Sequence, residues 1–159
     1  MRVSPAVRLL TAGLLTAISD GTFSSVLSVA AYGSTVTRLF QGVASTLLGP
    51  AAFEGGTRTA ALGVAMHVGV AFGWSAVFLF LVLRWPWARA LLASPFGLLK
   101  VALLYGPLIW IVMSASVIPL LVHRPPTIGL RWWVQFFGHI PFVGFPIAAS
   151  SRATGAGER

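Results

Sequence analysis

The chain has 159 residues, of which 57% are hydrophobic and only 9% are charged, whereas soluble domains carry about 25% charged residues. This composition excludes a water-soluble globular domain and indicates a protein that lies mostly in a lipid bilayer. The net charge of +8 does not predict nucleic-acid binding, because the eleven Lys and Arg residues cluster at the ends of apolar runs. The lack of cysteine excludes disulfides and thiolate metal sites.

The first apolar run, residues 9–31, is long enough to span a bilayer as a helix and carries Asp20 near its middle. Arg2 and Arg8 precede this run, as in a signal peptide, but the run continues to Ala31 without a clean cleavage site, so we expect an uncleaved span. An ionisable side chain at bilayer depth costs about 2.5–3.5 kcal/mol. We therefore expect Asp20 to face protein or a water-filled cavity.

Residues 35–48 predict a short amphipathic helix after the first span. Its apolar residues recur at helical spacing and are Val36, Leu39, Phe40, Val43 and Leu47. Gly49 and Pro50 end the segment, and Gly55 and Gly56 form a flexible approach to the next span. The helix is too short to cross a bilayer, so it either lies in the membrane interface, which we favour, or re-enters the membrane.

Three further apolar runs predict spans at about residues 59–83, 97–122 and 128–149. The third span contains Pro107 and the fourth contains Pro141 and Pro146, which membrane helices tolerate because neighbouring groups satisfy the freed carbonyls. The sequence thus predicts an all-α, polytopic membrane protein, a four-transmembrane-helix bundle with one short interfacial or re-entrant helix. This bundle is a single domain of residues 1–149, and the small polar residues 150–159 predict a disordered tail.

The basic residues favour an orientation with both termini inside. In that orientation the inner face carries Arg2, Arg8, Arg84, Arg89, Lys100, Arg152 and Arg159. The outer face carries Arg38, Arg58, Arg124 and Arg131. Trp85 and Trp87 then mark the inner aromatic belt, and Trp132 and Trp133 mark the outer one.

Small residues follow one face of each of the first two spans at four-residue intervals. The first span has Gly13, Ala17 and Gly21 on this face, and the second has Ala61, Ala65, Gly69 and Gly73. Such faces let helix backbones approach closely, which replaces the hydrophobic effect that lipid removes. We expect these two faces to pack against each other, with formation of a homodimer as the alternative.

Polar residues form a second pattern, because Asp20 shares a helix face with Ser24, and Gln135 shares one with Arg131 and His139. A rise of 1.5 Å per residue places Asp20 and His139 about 16 Å from a membrane edge, and His67 about 12 Å below the outer edge. The inner halves of the spans are almost entirely apolar. We therefore expect a polar cleft that opens to the outer face and closes near the midplane. Its candidate relay residues are Asp20, His67, His139, Gln135, Arg131 and Ser24.

An Asp with two His residues can relay protons, since His titrates near neutral pH. This favours transport, permeation or a response to pH or stress. One alternative is a structural accessory subunit of a larger membrane complex. Another is a b-haem or metal site, with His67 and His139 as ligands and Asp20 as a third zinc ligand. The polar groups can also simply join helices and fix their register.

No phosphate loop, serine elbow or zinc-protease helix occurs, so the sequence predicts a protein that is not an enzyme. We predict no cofactor, with haem b as the alternative named above. The expected partners are the lipid bilayer and either other membrane subunits or a second copy of the chain, and nucleic acid is not expected.

Two sets of short motifs resemble known membrane proteins. The segment 38–45, followed by Leu47-Leu48-Gly49, Gly55-Gly56 and His67, resembles a group of small four-span bacterial membrane proteins of unknown function. The later motifs Pro119-Leu120, Pro125-Pro126, Trp132 and Gly138-His139 are similar to those of YagU-like inner-membrane proteins. This resemblance implies the bacterial inner (cytoplasmic) membrane and an involvement in acid or stress tolerance. It implies no activity, cofactor or functional residue.

Overall fold

Helix is the only regular secondary structure in residues 3–152, the part of the chain that this computed structural model describes. The helices are α1 (Pro5–Ala31), α2 (Val36–Leu48), α3 (Gly56–Arg84), α4 (Pro86–Ala93), α5 (Gly97–Val122) and α6 (residues 130–152). A 3-10 helix, Gly49–Glu54, connects α2 to α3. The predicted all-helical fold is confirmed, and α1, α3 and α5 are long and apolar enough to cross a membrane.

The segment expected to form the fourth span is α6, which is not one of those three helices. Its first half carries Arg131, Gln135 and His139, which lower its apolar content. The helix continues to Arg152, three residues into the segment predicted as a disordered tail. Residues 153–159 of that segment lie outside the described residues, as does Arg2.

Two helix starts follow directly from the local sequence. The Ser4 hydroxyl accepts a hydrogen bond from the Val7 backbone N–H at 3.3 Å, and Pro5 occupies the first helical position of α1. The Thr35 hydroxyl accepts from the Arg38 backbone N–H at 3.1 Å and caps α2 in the same way. Each cap satisfies an amide that the first helical turn leaves without a partner.

α1 runs antiparallel to two neighbours, α3 and α6. On the α3 side, a Cβ atom added to Gly13 would lie 2.6 Å from the Phe72 ring, so the two helices are in close contact there. On the α6 side, the Arg8 guanidinium donates to the Ser151 carbonyl at one end of α1. Arg8 is buried, whereas we had expected it to be a charge of the inner membrane surface. Its bond to the last turn of α6 explains the difference, because carbonyls there attract a cation.

α5 completes the ring of long helices by contacting α6 and α3. Gly144 on α6 fits against the backbone of α5, since a Cβ atom there would lie 2.6 Å from the Ala102 carbonyl oxygen. On the other side, the Tyr105 hydroxyl donates to the Trp74 carbonyl on α3 at 2.8 Å. The four long helices therefore alternate in direction around a shared interior.

α2 packs along the first half of α3 rather than standing apart from the bundle. Gly63 of α3 lies directly against the Phe40 carbonyl, where no side chain would fit. The Gln41 side chain is buried and donates to the Gly56 carbonyl at 3.1 Å. These contacts bring Phe40 into the interior of the bundle, where its ring lies 5.9 Å from that of His67.

Prolines in α6 release backbone carbonyls, and one of these is satisfied by another helix. Pro146 has no N–H to donate to the carbonyl of Phe142, four residues earlier. The Ser19 hydroxyl of α1 lies 2.5 Å from that carbonyl oxygen and 2.7 Å from the Leu15 carbonyl, so its single hydrogen is shared. A π-helical turn, Ile140–Gly144, contains Pro141 and follows directly after His139.

An apolar core fills the half of the bundle where α3 ends and α5 begins. It contains Phe78, Val82, Ala88, Leu92, Val101, Tyr105, Ile109, Val143, Ile147 and Ala148. Ile147 is completely buried. In the orientation favoured by the basic residues this is the inner half, so the interior is closed toward that side.

Candidate functional site

A cavity of about 290 Å³, here called the central cavity, lies between α1, α2, α3, α5 and α6. Much of its wall is apolar and includes Leu39, Val70, Trp74, Ile109 and Met113. Its polar lining consists of Thr16, Asp20, Ser24, His67, Gln135 and His139. Five of the six predicted cleft residues therefore share one cavity, and the sixth, Arg131, lies beside it.

Asp20 and His67 face each other across the contact between α1 and α3. The Asp20 Oδ2 atom lies 3.8 Å from His67 Nδ1, and both side chains are largely buried. The other ring nitrogen of His67, Nε2, lies 3.1 Å from the Ala17 carbonyl oxygen. Gly21 makes room for the ring, since a Cβ atom there would lie 3.3 Å from Nε2.

These contacts determine where protons lie on the pair. A carbonyl oxygen only accepts hydrogen bonds, so His67 Nε2 carries a hydrogen and donates to Ala17. Nδ1 then faces Asp20 either as an acceptor or, when protonated, as a second donor. A carboxylate facing an acceptor nitrogen is unfavourable, and one added proton on either group relieves the conflict. We call Asp20 and His67 the proton pair.

His139 contributes a second imidazole to the same cavity. Its Nδ1 lies 2.7 Å from the Gln135 carbonyl oxygen and must donate to it, so in the neutral ring Nε2 is an acceptor. The ring packs against Trp110 with the ring centroids 4.9 Å apart. On the backbone side, Gly106 of α5 lies against the His139 carbonyl, with no space for a side chain. Close backbone contact thus places this histidine.

Several buried polar atoms around the central cavity have no hydrogen-bond partner among the described residues. They are Thr16 Oγ1, Asp20 Oδ1, Trp110 Nε1 and Gln135 Oε1. Gln135 uses its amide nitrogen to donate to the Ser24 hydroxyl at 3.3 Å, which joins α6 to α1. Buried polar groups usually have partners, so this group of donors and acceptors favours a polar occupant in the cavity.

A second, more open pocket of about 370 Å³, here called the vestibule, adjoins the central cavity. The two share Trp110, Ile118 and Gln135 as lining residues. The vestibule lies where α5 ends and α6 begins, the end that the basic residues assign to the outer face. Arg131 belongs to its wall, and its guanidinium carbon lies 4.0 Å from the centre of the Tyr32 ring.

The small-residue faces pack differently from our expectation. Gly13, Ala17 and Gly21 of α1 do face α3, but they receive the large rings of Phe72 and His67. The predicted partner face on α3 is wrong, because all four of its residues are exposed: Ala61, Ala65, Gly69 and Gly73. The physical reason is that large rings on α3 fill the space beside the small residues of α1. Close packing of the two helices therefore needs small residues on only one of them.

Sequence reasoning missed several residues of the site. Trp110, Tyr32 and Ser114 line the vestibule, and the Ser114 hydroxyl accepts a hydrogen bond from Trp132 Nε1 at 2.9 Å. Membrane aromatic residues at this depth look the same in sequence whether they face lipid or a cavity. The position of Trp110 one helical turn before Ser114 was the only available signal, and it is weak.

The metal and haem alternatives gain little from this geometry. Within residues 3–152, no group of three His, Cys, Asp or Glu side chains is placed to hold a metal ion. Haem ligation by both histidines requires one free ring nitrogen from each. His139 can offer Nε2, but His67 can offer only Nδ1, which faces Asp20. An iron atom there would compete with the carboxylate.

Comparison with known proteins does not assign the chain to a family. No family model, curated protein or solved structure matches it. The functional evidence therefore consists of the two adjoining pockets and the ionisable groups in their walls.

Proposed function

We propose that this protein spans the membrane four times, with both termini inside, and moves protons together with a small solute. In this proposal α6 is the fourth span, because it packs against α1 from Gly138 beside Phe23 to Ser151 beside Arg8 and against α5 at Gly144. Its polar residues Gln135 and His139 then face the central cavity rather than lipid. The location we propose is the bacterial inner membrane, on the basis of the resemblance of its short motifs.

The observation that carries the proposal is the proton pair in the wall of the central cavity. Asp20 and His67 lie 3.8 Å apart, and the hydrogen bond to Ala17 fixes the His67 ring, so the pair can accept or release one proton with little rearrangement. His139 lies in the same cavity and can exchange that proton. Ionisable groups at this depth in membrane proteins commonly mark proton pathways.

The path is asymmetric, which suits a transporter that opens to one side at a time. The vestibule leads to the central cavity, while the apolar core around Phe78, Val143 and Ile147 closes the opposite half. In the orientation proposed here, this arrangement supports a cleft that opens outward and closes inward. α2 covers one wall with Phe40 and Val43.

Proton flux into liposomes tests this function directly. Purified protein is reconstituted into vesicles that contain a pH-sensitive dye, and potassium with valinomycin on both sides prevents the build-up of a membrane potential. An acid step outside, applied together with lactate, glycine and glucose as trial solutes, then drives protons inward. We expect flux above that of empty vesicles, and we expect Asp20→Asn to reduce it to the empty-vesicle value because the pair then lacks its carboxylate. Glu54→Gln is the matched control, since Glu54 is an exposed acid outside both pockets.

Two results would overturn the proposal. One is wild-type protein that conducts no more protons than empty vesicles do. The other is an Asp20→Asn variant that keeps the wild-type flux, which would leave Asp20 as a residue that only joins α1 to α3. Thermal unfolding of each variant in detergent separates loss of flux from loss of fold.

A further inference from the structure

The vestibule wall contains positive charge and, within residues 3–152, no acidic side chain. Two arginines, Arg124 and Arg131, line it, and the described lining residues include no Asp or Glu. Arg131 stacks on Tyr32, a contact that engages the face of the guanidinium and leaves its N–H edges available. Two cations in a concave site attract anions.

Further hydrogen-bond donors surround the same pocket. The Tyr32 hydroxyl and Trp110 Nε1 are buried and have no partner among the described residues. α6 begins at the vestibule with Gly129 as its cap, and no side chain accepts from its first amides. These amides form the positive end of the helix dipole, which adds to the attraction for an anion.

Apart from Ser114, Thr127 and Gln135, the rest of the vestibule wall is apolar. It includes Ile118, Pro119, Val122, Pro125 and Pro126, together with the Trp132 ring. A volume of about 370 Å³ is at the lower end of the range for small-molecule sites. A pocket that combines cations and hydrogen-bond donors with apolar groups matches a molecule with one anionic group and a small hydrophobic body.

We infer that the vestibule binds a small monocarboxylate with an apolar body. This inference names the substrate class of the proposed function. Binding in the vestibule is independent of that proposal, whereas passage of the bound molecule across the membrane rests on it. The central cavity continues the pattern, because it joins a polar cluster to apolar residues such as Leu39, Val70 and Met113.

The charge of Asp20 in the central cavity couples entry of the carboxylate to uptake of a proton. A carboxylate that enters the central cavity approaches Asp20, and two like charges repel strongly in a buried site. An added proton on the proton pair removes this repulsion, so anion and proton enter together. The ionisable groups that face the cavity are Asp20 of α1, His67 of α3 and His139 of α6, while the lining residues of α2 and α5 include none.

Calorimetric titration with benzoate tests the binding step. The protein is placed in phosphatidylcholine nanodiscs, and benzamide, which has the same shape without the charge, serves as the ligand control. We expect saturable benzoate binding, benzamide binding at least tenfold weaker, and a loss of tenfold or more in benzoate affinity for Arg131→Gln and for Arg124→Gln. Arg131→Lys retains the charge and should lose less. Arg58→Gln is the matched control, since Arg58 is an outer-face arginine that lines neither pocket.

The outcomes separate this inference from the proposed function. Equal binding of benzamide, or equal losses for Arg58→Gln and Arg131→Gln, would overturn the carboxylate site. Loss of benzoate binding in phosphatidylglycerol nanodiscs would also overturn it, because a lipid phosphate would then occupy the arginines. If benzoate does not bind while Asp20→Asn still abolishes proton flux, the proposed function stands and the vestibule inference fails. If benzoate binds while Asp20→Asn leaves the flux unchanged, the vestibule inference stands and the proposed function fails.

Discussion

His67 donates its Nε2 hydrogen to the Ala17 carbonyl oxygen and thereby points Nδ1 at Asp20, which lies on the next turn of α1. One helix thus supplies both the group that fixes the imidazole and the carboxylate that faces its other nitrogen at 3.8 Å. Histidines with one ring nitrogen bonded in this way have a defined tautomer, so the other nitrogen is free for proton transfer.

Replacing His67 with glutamine tests this division of roles. The glutamine amide can still donate to the Ala17 carbonyl, but it does not titrate, so we expect a folded protein whose proton flux falls to the empty-vesicle value. His123→Gln is the control, because His123 is exposed in the connection between α5 and α6. Flux in His67→Gln equal to that of the control would show that the imidazole carries no proton.

The sequence predicted that Asp20 and His67 converge, but it did not predict the packing around them. Asp20 was found because a carboxylate at bilayer depth is costly and needs a polar environment, and four-residue spacing placed Ser24 on its face. Spacing also predicted that one end of the bundle is apolar, and that end contains Phe78, Val82 and Ile147. It failed for the small face of α3, because sequence spacing does not tell whether a small residue meets another helix or lipid. That choice depends on where large rings such as Phe72 insert.

The two small-residue faces predict opposite effects for the same substitution. Gly13→Ala places a methyl group 2.6 Å from the Phe72 ring, so we expect a loss of about 1–3 kcal/mol in the free energy of unfolding. Gly73→Ala meets no atom within 4 Å, and alanine favours helix by up to about 1 kcal/mol, so stability should stay equal or rise. Denaturant unfolding in detergent micelles measures both.

If Gly73→Ala destabilised the protein as much as Gly13→Ala, the exposed face of α3 would be part of a contact, and the packing described above would be incomplete. Size-exclusion chromatography of both variants with light scattering would then show whether that contact joins two copies of the chain.

Tyr105 joins α5 to α3 through a single hydroxyl, which donates to the Trp74 carbonyl at 2.8 Å. We expect Tyr105→Phe to lower the free energy of unfolding by about 0.5–1.5 kcal/mol, the usual net value of one hydrogen bond. The cost stays small because a helical carbonyl such as that of Trp74 retains its backbone hydrogen bond. Tyr32→Phe is the matched control, since the Tyr32 hydroxyl has no partner among the described residues and its removal should not destabilise the fold. Equal losses in the two variants would contradict the assigned bond.

Gly106 controls the distance between α5 and α6 at the level of His139. A side chain at Gly106 meets the His139 carbonyl and the Ile140 amide, which are backbone atoms and cannot rotate away as a side-chain tip can. We therefore expect Gly106→Ala to cost at least as much stability as Gly13→Ala, at or above the upper end of about 1–3 kcal/mol.

The same change should move His139 away from Trp110, so the fluorescence of the protein and its proton flux should change together. Gly69→Ala, on the exposed face of α3, is the control and should alter neither. A Gly106→Ala variant with wild-type stability would mean that α5 and α6 separate easily at this level. In that case close backbone contact does not fix the position of His139, and the hydrogen bond from its Nδ1 to the Gln135 carbonyl alone would orient the ring.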